Sequence, residues 1–106
     1  MIVGEESATT LALVIHELAT NSLKYGALSA ASGTLDVSRT VDESELVLAW
    51  VERGGPAVVA PTGTAGFGSK MVNRGMSRQL GGSIAYDWSK EGLIVTLRMK
   101  KDRLAM

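Results

Sequence analysis

HELATNSLKYGAL, residues His16 to Leu28, is the stretch on which the reading of this chain turns. It ends a longer segment, Ser7 to Leu28, that has no proline and no glycine before Gly26, and in which Leu11, Val14, Ile15, Leu18 and Ala19 recur at helical spacing. The segment is expected to be an amphipathic helix with Ser7 as its N-cap and Gly26 near its stop. Successive helical residues turn by about 100°, so Glu17, Asn21 and Lys24 fall on a narrow stripe opposite Leu11, Ile15 and Leu18. On an arbitrary helix such a stripe is most often a solvated face. Asn21 argues for more, because asparagine is a poor helix former while its amide oxygen is a good ligand for a hard cation. A carboxylate, an amide oxygen and an ammonium on one stripe suit a magnesium-bound polyphosphate.

Working outward, Thr34 to Val41 alternates Leu35 and Val37 against Asp36 and Ser38, and Glu45 to Arg53 is a second, more apolar run. Asp42-Glu43-Ser44 between them suits a hairpin turn. The stretch GGPAVVAPTGTAG, Gly54 to Gly66, follows neither periodicity and reads as an irregular loop, of a length that usually carries function. Helical spacing returns from Phe67 to Leu80 through Met71, Val72 and Met76, and Gly81-Gly82 ends it. Ser83 to Trp88 and Leu93 to Met99 alternate around Lys90-Glu91-Gly92, a closing hairpin. Lys100 to Met106 reads as a frayed polar tail. The order is helix, two strands, loop, helix, two strands, in one domain spanning residues 1–106.

Two further features carry chemistry. Glu52 shares strand parity with Leu46, Leu48 and Trp50 and so points toward the buried face, unless the strand has already ended and the carboxylate lies in water. Buried, it is an acceptor for the exocyclic amine of adenine, and it rejects bases that lack that donor. Gly66-Phe67-Gly68-Ser69-Lys70 is a glycine-rich turn opening a helix, where free backbone N–H groups and the positive dipole end attract phosphate. A tight turn before a helix is the commoner meaning of such a pair. No GxxxxGK[ST] motif occurs, so a P-loop nucleotide site is not supported.

Composition narrows the class. Lysine plus arginine equals aspartate plus glutamate and phenylalanine occurs once, which disfavours nucleic acid as a partner. There are no cysteines, which removes disulfides, thiolate metal sites and cysteine nucleophiles, and the lone His16 cannot build a zinc site. No apolar run approaches the ~20 residues of a membrane-spanning helix, and Met1 to Thr10 lacks the order of a signal peptide. A cytoplasmic domain without membrane contact of its own is expected.

The same motifs resemble a known family. HELATNSLKYGAL looks like the N box of HWE-type sensor histidine kinases, a branch of the GHKL or Bergerat-fold ATPases, and Trp50-Val51-Glu52 supplies the second signature. Gly54-Gly55-Pro56, Gly66-Phe67-Gly68 and Leu80-Gly81-Gly82 continue in order, so the resemblance covers almost the whole chain. It implies an α/β (α+β) two-layer sandwich with helices packed on one face of a mixed β-sheet. It implies an ATP-binding catalytic domain that transfers the γ-phosphate of Mg-ATP to a histidine on a separate, upstream dimerisation and phosphoacceptor domain, with a response regulator served by the full-length protein.

Residue by residue, the resemblance makes Asn21 the magnesium ligand and Glu17 the base or polarising group. Lys24 meets phosphate, Tyr25 packs on adenine, Glu52 reads it, and Gly54, Gly66, Gly68 and Ser69 belong to the nucleotide-binding loops. His16 is a family marker and not the phosphorylated histidine. Glu52-Arg53-Gly54-Gly55-Pro56 keeps only the first glycine of the wider DxGxG pattern, as is normal for the HWE branch. The competing reading is a nucleotide-binding regulatory module or anti-sigma-type GHKL protein that acts by binding a partner. Glu17 and Asn21, both intact, argue against degeneracy.

Overall fold

A computed structural model describes residues 3–56, 72–89 and 91–106 of the chain. Helix α1 spans Glu5–Lys24 and is followed by one 3₁₀ turn, Ala27–Ser29. Strands β1 (Thr34–Val41) and β2 (Glu45–Arg53) form the first hairpin, and β3 (Ser83–Trp88) and β4 (Leu93–Lys100) the second. Between the hairpins, residues 72–79 form helix α2, whose Gly75–Gln79 part is wound as a π-helix. A short helix α3, Lys101–Leu104, follows β4. Among the described residues no helix is long and apolar enough to cross a membrane.

The strands lie in the order β1-β2-β4-β3, and all three pairings are antiparallel. The expected mixed sheet is therefore corrected, among the described residues, to an antiparallel one. The physical reason lies in the connections. Each hairpin returns its chain alongside itself, and the stretch carrying α2 crosses over to bring β3 parallel to β2 with β4 inserted between them. Parallel directions exist, but no parallel neighbours bond.

Strand periodicity decides which face is covered. In β4, Leu93, Val95, Leu97 and Met99 are buried while Ile94, Arg98 and Lys100 are exposed, the period of two that a one-sided sheet requires. Onto the buried face pack Val14 and Leu18 of α1, Val72 and Met76 of α2 together with Leu80 just beyond it, and Leu46 and Trp50 of β2. Leu11, Ile15 and Ala19 flank this core, so the apolar face read from the helical spacing is the one that packs. On edge strand β1, in contrast, Leu35 reaches the core while Val37 and Val41 stay exposed.

Both ends of the chain depart from expectation. Helix α1 begins at Glu5 with Gly4 as its N-cap, and the Glu5 and Glu6 carboxylates complement the positive end of its dipole. Ser7 is fully buried, and its hydroxyl donates to the Arg103 carbonyl at 2.6 Å. The residues read as a frayed tail instead fold into α3. Gly4 N donates to Leu104 O at 2.7 Å, Ser7 N to Met106 O at 3.2 Å, and Leu104 is 0% exposed. Arg103 Nε donates to Gln79 O at 3.2 Å, and its guanidinium also meets Arg78 O, so α3 ties the end of α2 to the start of α1.

Asp42 sets the first hairpin turn, its Oδ1 accepting from Ser44 N at 2.8 Å and Glu45 N at 2.7 Å. These backbone donors hold the carboxyl below its ordinary value of 3.8. A lowered folded-state pKa contributes stability that is present above the unfolded value and lost as pH falls through the folded one. Asp42→Ala is expected to lower the melting temperature at about pH 7, with the gap to wild type closing toward about pH 2. Leu104→Ala is expected to remove about 2–5 kcal/mol from the unfolding free energy, as for other fully buried leucines, and urea titration measures it. A frayed tail would show no change.

Candidate functional site

The last two turns of α1 and the end of β2 meet at one end of the domain. Asn21 Nδ2 donates to Glu17 Oε1 at 3.4 Å across one helical turn, which leaves the amide oxygen facing outward. Glu17 is half-buried while Asn21 and Lys24 are exposed. The stripe thus borders the core rather than lying opposite it. Lys24 sits in the last turn, where its charge also complements the negative end of the helix dipole. Tyr25 caps the helix, its N–H donating to Asn21 O at 2.8 Å and its side chain 71% exposed, so a large ring stands free at the rim.

Glu52 is 3% exposed, as its strand parity requires, on the same face as Trp50. Its carboxylate accepts three hydrogen bonds: Ser22 Oγ and Ala27 N reach Oε1, each at 2.9 Å, and the Trp50 indole N–H reaches Oε2 at 2.8 Å. Positions two apart on a strand share a face, and this is how Trp50-Val51-Glu52 brings the indole to the carboxylate. Gly26 is needed for the approach, because a Cβ there would overlap Glu52 Oε1 and press on Ser22 Cα at 3.1 Å. The chain then turns out of β2 at Gly54, whose φ of +75° lies in the left-handed region that glycine adopts without strain. Ser32 Oγ holds that turn by donating to Gly54 O at 2.9 Å.

Of the expected site residues, the fold therefore gathers Glu17, Asn21, Lys24, Tyr25, Glu52 and Gly54 at the α1–β2 end. Gly66, Gly68 and Ser69, and the irregular loop from residue 57 onward, lie outside the described residues. Two participants were not anticipated. Ser22 sits within the N-box stretch but on its buried side, and a buried serine on a helix face was the available signal. Tyr86, 40% exposed on the helix-facing side of β3, stacks on Trp88 with ring centroids 5.8 Å apart. Burial raises its phenol above the ordinary value and the Glu17 carboxylate raises it further. Glu17 also lines a cleft of about 420 Å³ between α1 and α2, together with His16, Leu13, Val72, Arg74 and Arg78.

No protein-family model matches the chain. Over 92 residues, 85% of its length, it is 40% identical to blue-light-activated histidine kinase 1 of Erythrobacter litoralis, and over 99 residues it is 35% identical to a blue-light-activated histidine kinase of Brucella anthropi. The histidine kinase domain of a blue-light activated histidine kinase from Erythrobacter litoralis superimposes with a TM-score of 0.78 at 20% identity, covering 94% of this chain and 47% of that one. The chain is thus similar in sequence to histidine kinases, and its fold is the one that histidine kinase catalytic domains have. The catalytic domain of histidine kinase ThkA agrees, with a TM-score of 0.69 at 16% identity over 88% of this chain and 67% of that one. The chain spans only 25% and 20% of the length of these two curated relatives.

Glu52→Ala would strand the buried Ala27 N–H, the Trp50 indole N–H and the Ser22 hydroxyl. Each unsatisfied buried donor costs about 1–3 kcal/mol, so the variant is expected to lose ~3 kcal/mol or more of stability in urea titration. A loss below about 1 kcal/mol would mean that the carboxylate does not hold these elements together.

Proposed function

We propose that this domain binds Mg-ATP against the Glu17–Lys24 stripe and transfers its γ-phosphoryl group to a histidine on a helical acceptor domain of the same kinase. The observation that carries the reading is the convergence of the Glu17–Asn21 pair, the free Tyr25 ring and the buried Glu52 carboxylate at one end of the fold. The Tyr25 ring stacks on the adenine, and Glu52 Oε2, with a single donor among the described residues, keeps a lone pair for its amine. Lys24 offsets charge on the phosphates. Gly54, Gly66, Gly68 and Ser69 supply backbone and hydroxyl groups to them, as the family resemblance implies.

The donor set fits magnesium. The Asn21 amide oxygen is a hard ligand turned outward by the amide's own bond to Glu17, and magnesium takes few protein oxygens when phosphates and water supply the rest. When bound, the ion neutralises charge on the β- and γ-phosphates.

Glu17 accepts a hydrogen bond from the incoming imidazole and so points its other nitrogen at phosphorus. That nitrogen's lone pair forms the N–P bond as the bond from the γ-phosphorus to the β–γ bridging oxygen breaks. The electron pair leaves with ADP. The cleft beside Glu17 gives the acceptor its approach. The acceptor domain, the response regulator beyond it and a cytoplasmic setting belong to the longer kinase in this proposal.

Calorimetric titration tests the nucleotide site. Mg-ATP is expected to bind the wild-type domain, and Asn21→Ala to weaken it by about tenfold or more, with EDTA producing a comparable loss. Absence of heat from the folded wild-type domain would sink the reading.

A further inference from the structure

The hydrogen bonds to Glu52 are divided unequally between its two oxygens. Among the described residues Oε1 accepts from both Ser22 Oγ and Ala27 N, whereas Oε2 accepts from Trp50 Nε1 alone. Two donors fill the lone-pair positions of Oε1, and one position remains on Oε2. The direction of the Ser22 bond is fixed as well. Leu28 N donates to Ser22 Oγ at 3.3 Å, which leaves the serine's own hydrogen for Glu52. Ser22 is 1% exposed, Trp50 3% and Glu52 3%, so water does not replace any of these partners.

The geometry points to Ser22 and Trp50 as positioning residues for base selection, which hold the Glu52 carboxylate so that a single Oε2 lone pair is offered to an exocyclic amine. The inference rests on Glu52 being the base-reading residue. Adenine presents an amino group as a donor, whereas guanine and hypoxanthine present a carbonyl oxygen at the corresponding ring carbon. A clamped carboxylate discriminates strongly because it cannot turn away from that oxygen.

A loose carboxylate would rotate and let a bridging water mediate, and much of the discrimination would go with it. Ser22 adjoins Asn21 on α1, so the bond that clamps the base-reading group also fixes the turn that carries the phosphate-side stripe.

The experiment compares affinities of Mg-ATP, Mg-GTP and Mg-ITP for the wild-type domain, Ser22→Ala and Trp50→Phe by calorimetry, with folding of each variant checked by circular dichroism. Ser22→Ala removes one donor from Oε1, and Trp50→Phe keeps an aromatic ring while removing the indole donor to Oε2. Each folded variant is expected to lose about tenfold of the preference for ATP over GTP and ITP, and either variant alone decides. A purely structural role would lower stability and leave the preference of the folded protein unchanged, and that result overturns the inference. If the wild-type domain binds ATP and GTP equally, the base-reading role of Glu52 falls, and the inference falls with it. If the wild type discriminates and both variants do too, only the clamp is wrong.

Discussion

A carboxylate buried to 3% exposure at the end of a strand must be satisfied by the fold around it, and Glu52 is the constraint on which this end of the domain depends. Its three donors come from the helix, from the turn after the helix and from its own strand. Helix α1 therefore cannot slide along the sheet, the chain after Lys24 must fold back to present the Ala27 N–H, and residue 26 must lack a side chain. Apolar packing of Val14 and Leu18 brings the helix to the sheet, but packing is non-directional and tolerates small shifts. Directional bonds to a single buried anion set the register.

The opposite end is held by a different device. There the main chain supplies the bonds, with α3 meeting the first turn of α1 and the Arg103 side chain reaching the carbonyls that close α2. Arg78 and Gln79 lie in the last turn of α2, where carbonyls have no intrahelical partner, and a guanidinium with several donors in a plane suits that need. One end is thus fixed by an anion among donors and the other by a cation among acceptors.

Much of this was legible in the sequence because the signals were periodic. All four strands came within a residue of their observed limits, and Leu11, Val14, Ile15, Leu18 and Ala19 were correctly taken as the packing face of α1. Glu52 was legible by parity alone. The misreadings were of other kinds. Ser7 looks like an N-cap because serine favours caps, yet its hydroxyl is engaged by Arg103, a partner 96 residues away that no local pattern announces. Lys100 to Met106 reads as polar because four of its seven residues are charged, while burial of Leu104 depends on a groove that exists only once α1 and β4 have met. The absence of parallel neighbours could not be read either, since spacing reveals strands but not their order. Tyr86 faces the helices from β3 beside Val95, a placement set by strand order, which spacing likewise does not encode.

The bond between Gly4 and Leu104 sets the start of α1 against α3. From that corner runs α1, whose 20 residues make a rod of about 30 Å, clasped by α3 at its first turn and by Glu52 at its last. A stiff rod pinned at both ends does not absorb a displacement; it passes it on. The first turn of α1 and the turn that carries Asn21 and Lys24 are therefore parts of one body, because α3 holds the one and Glu52 the other.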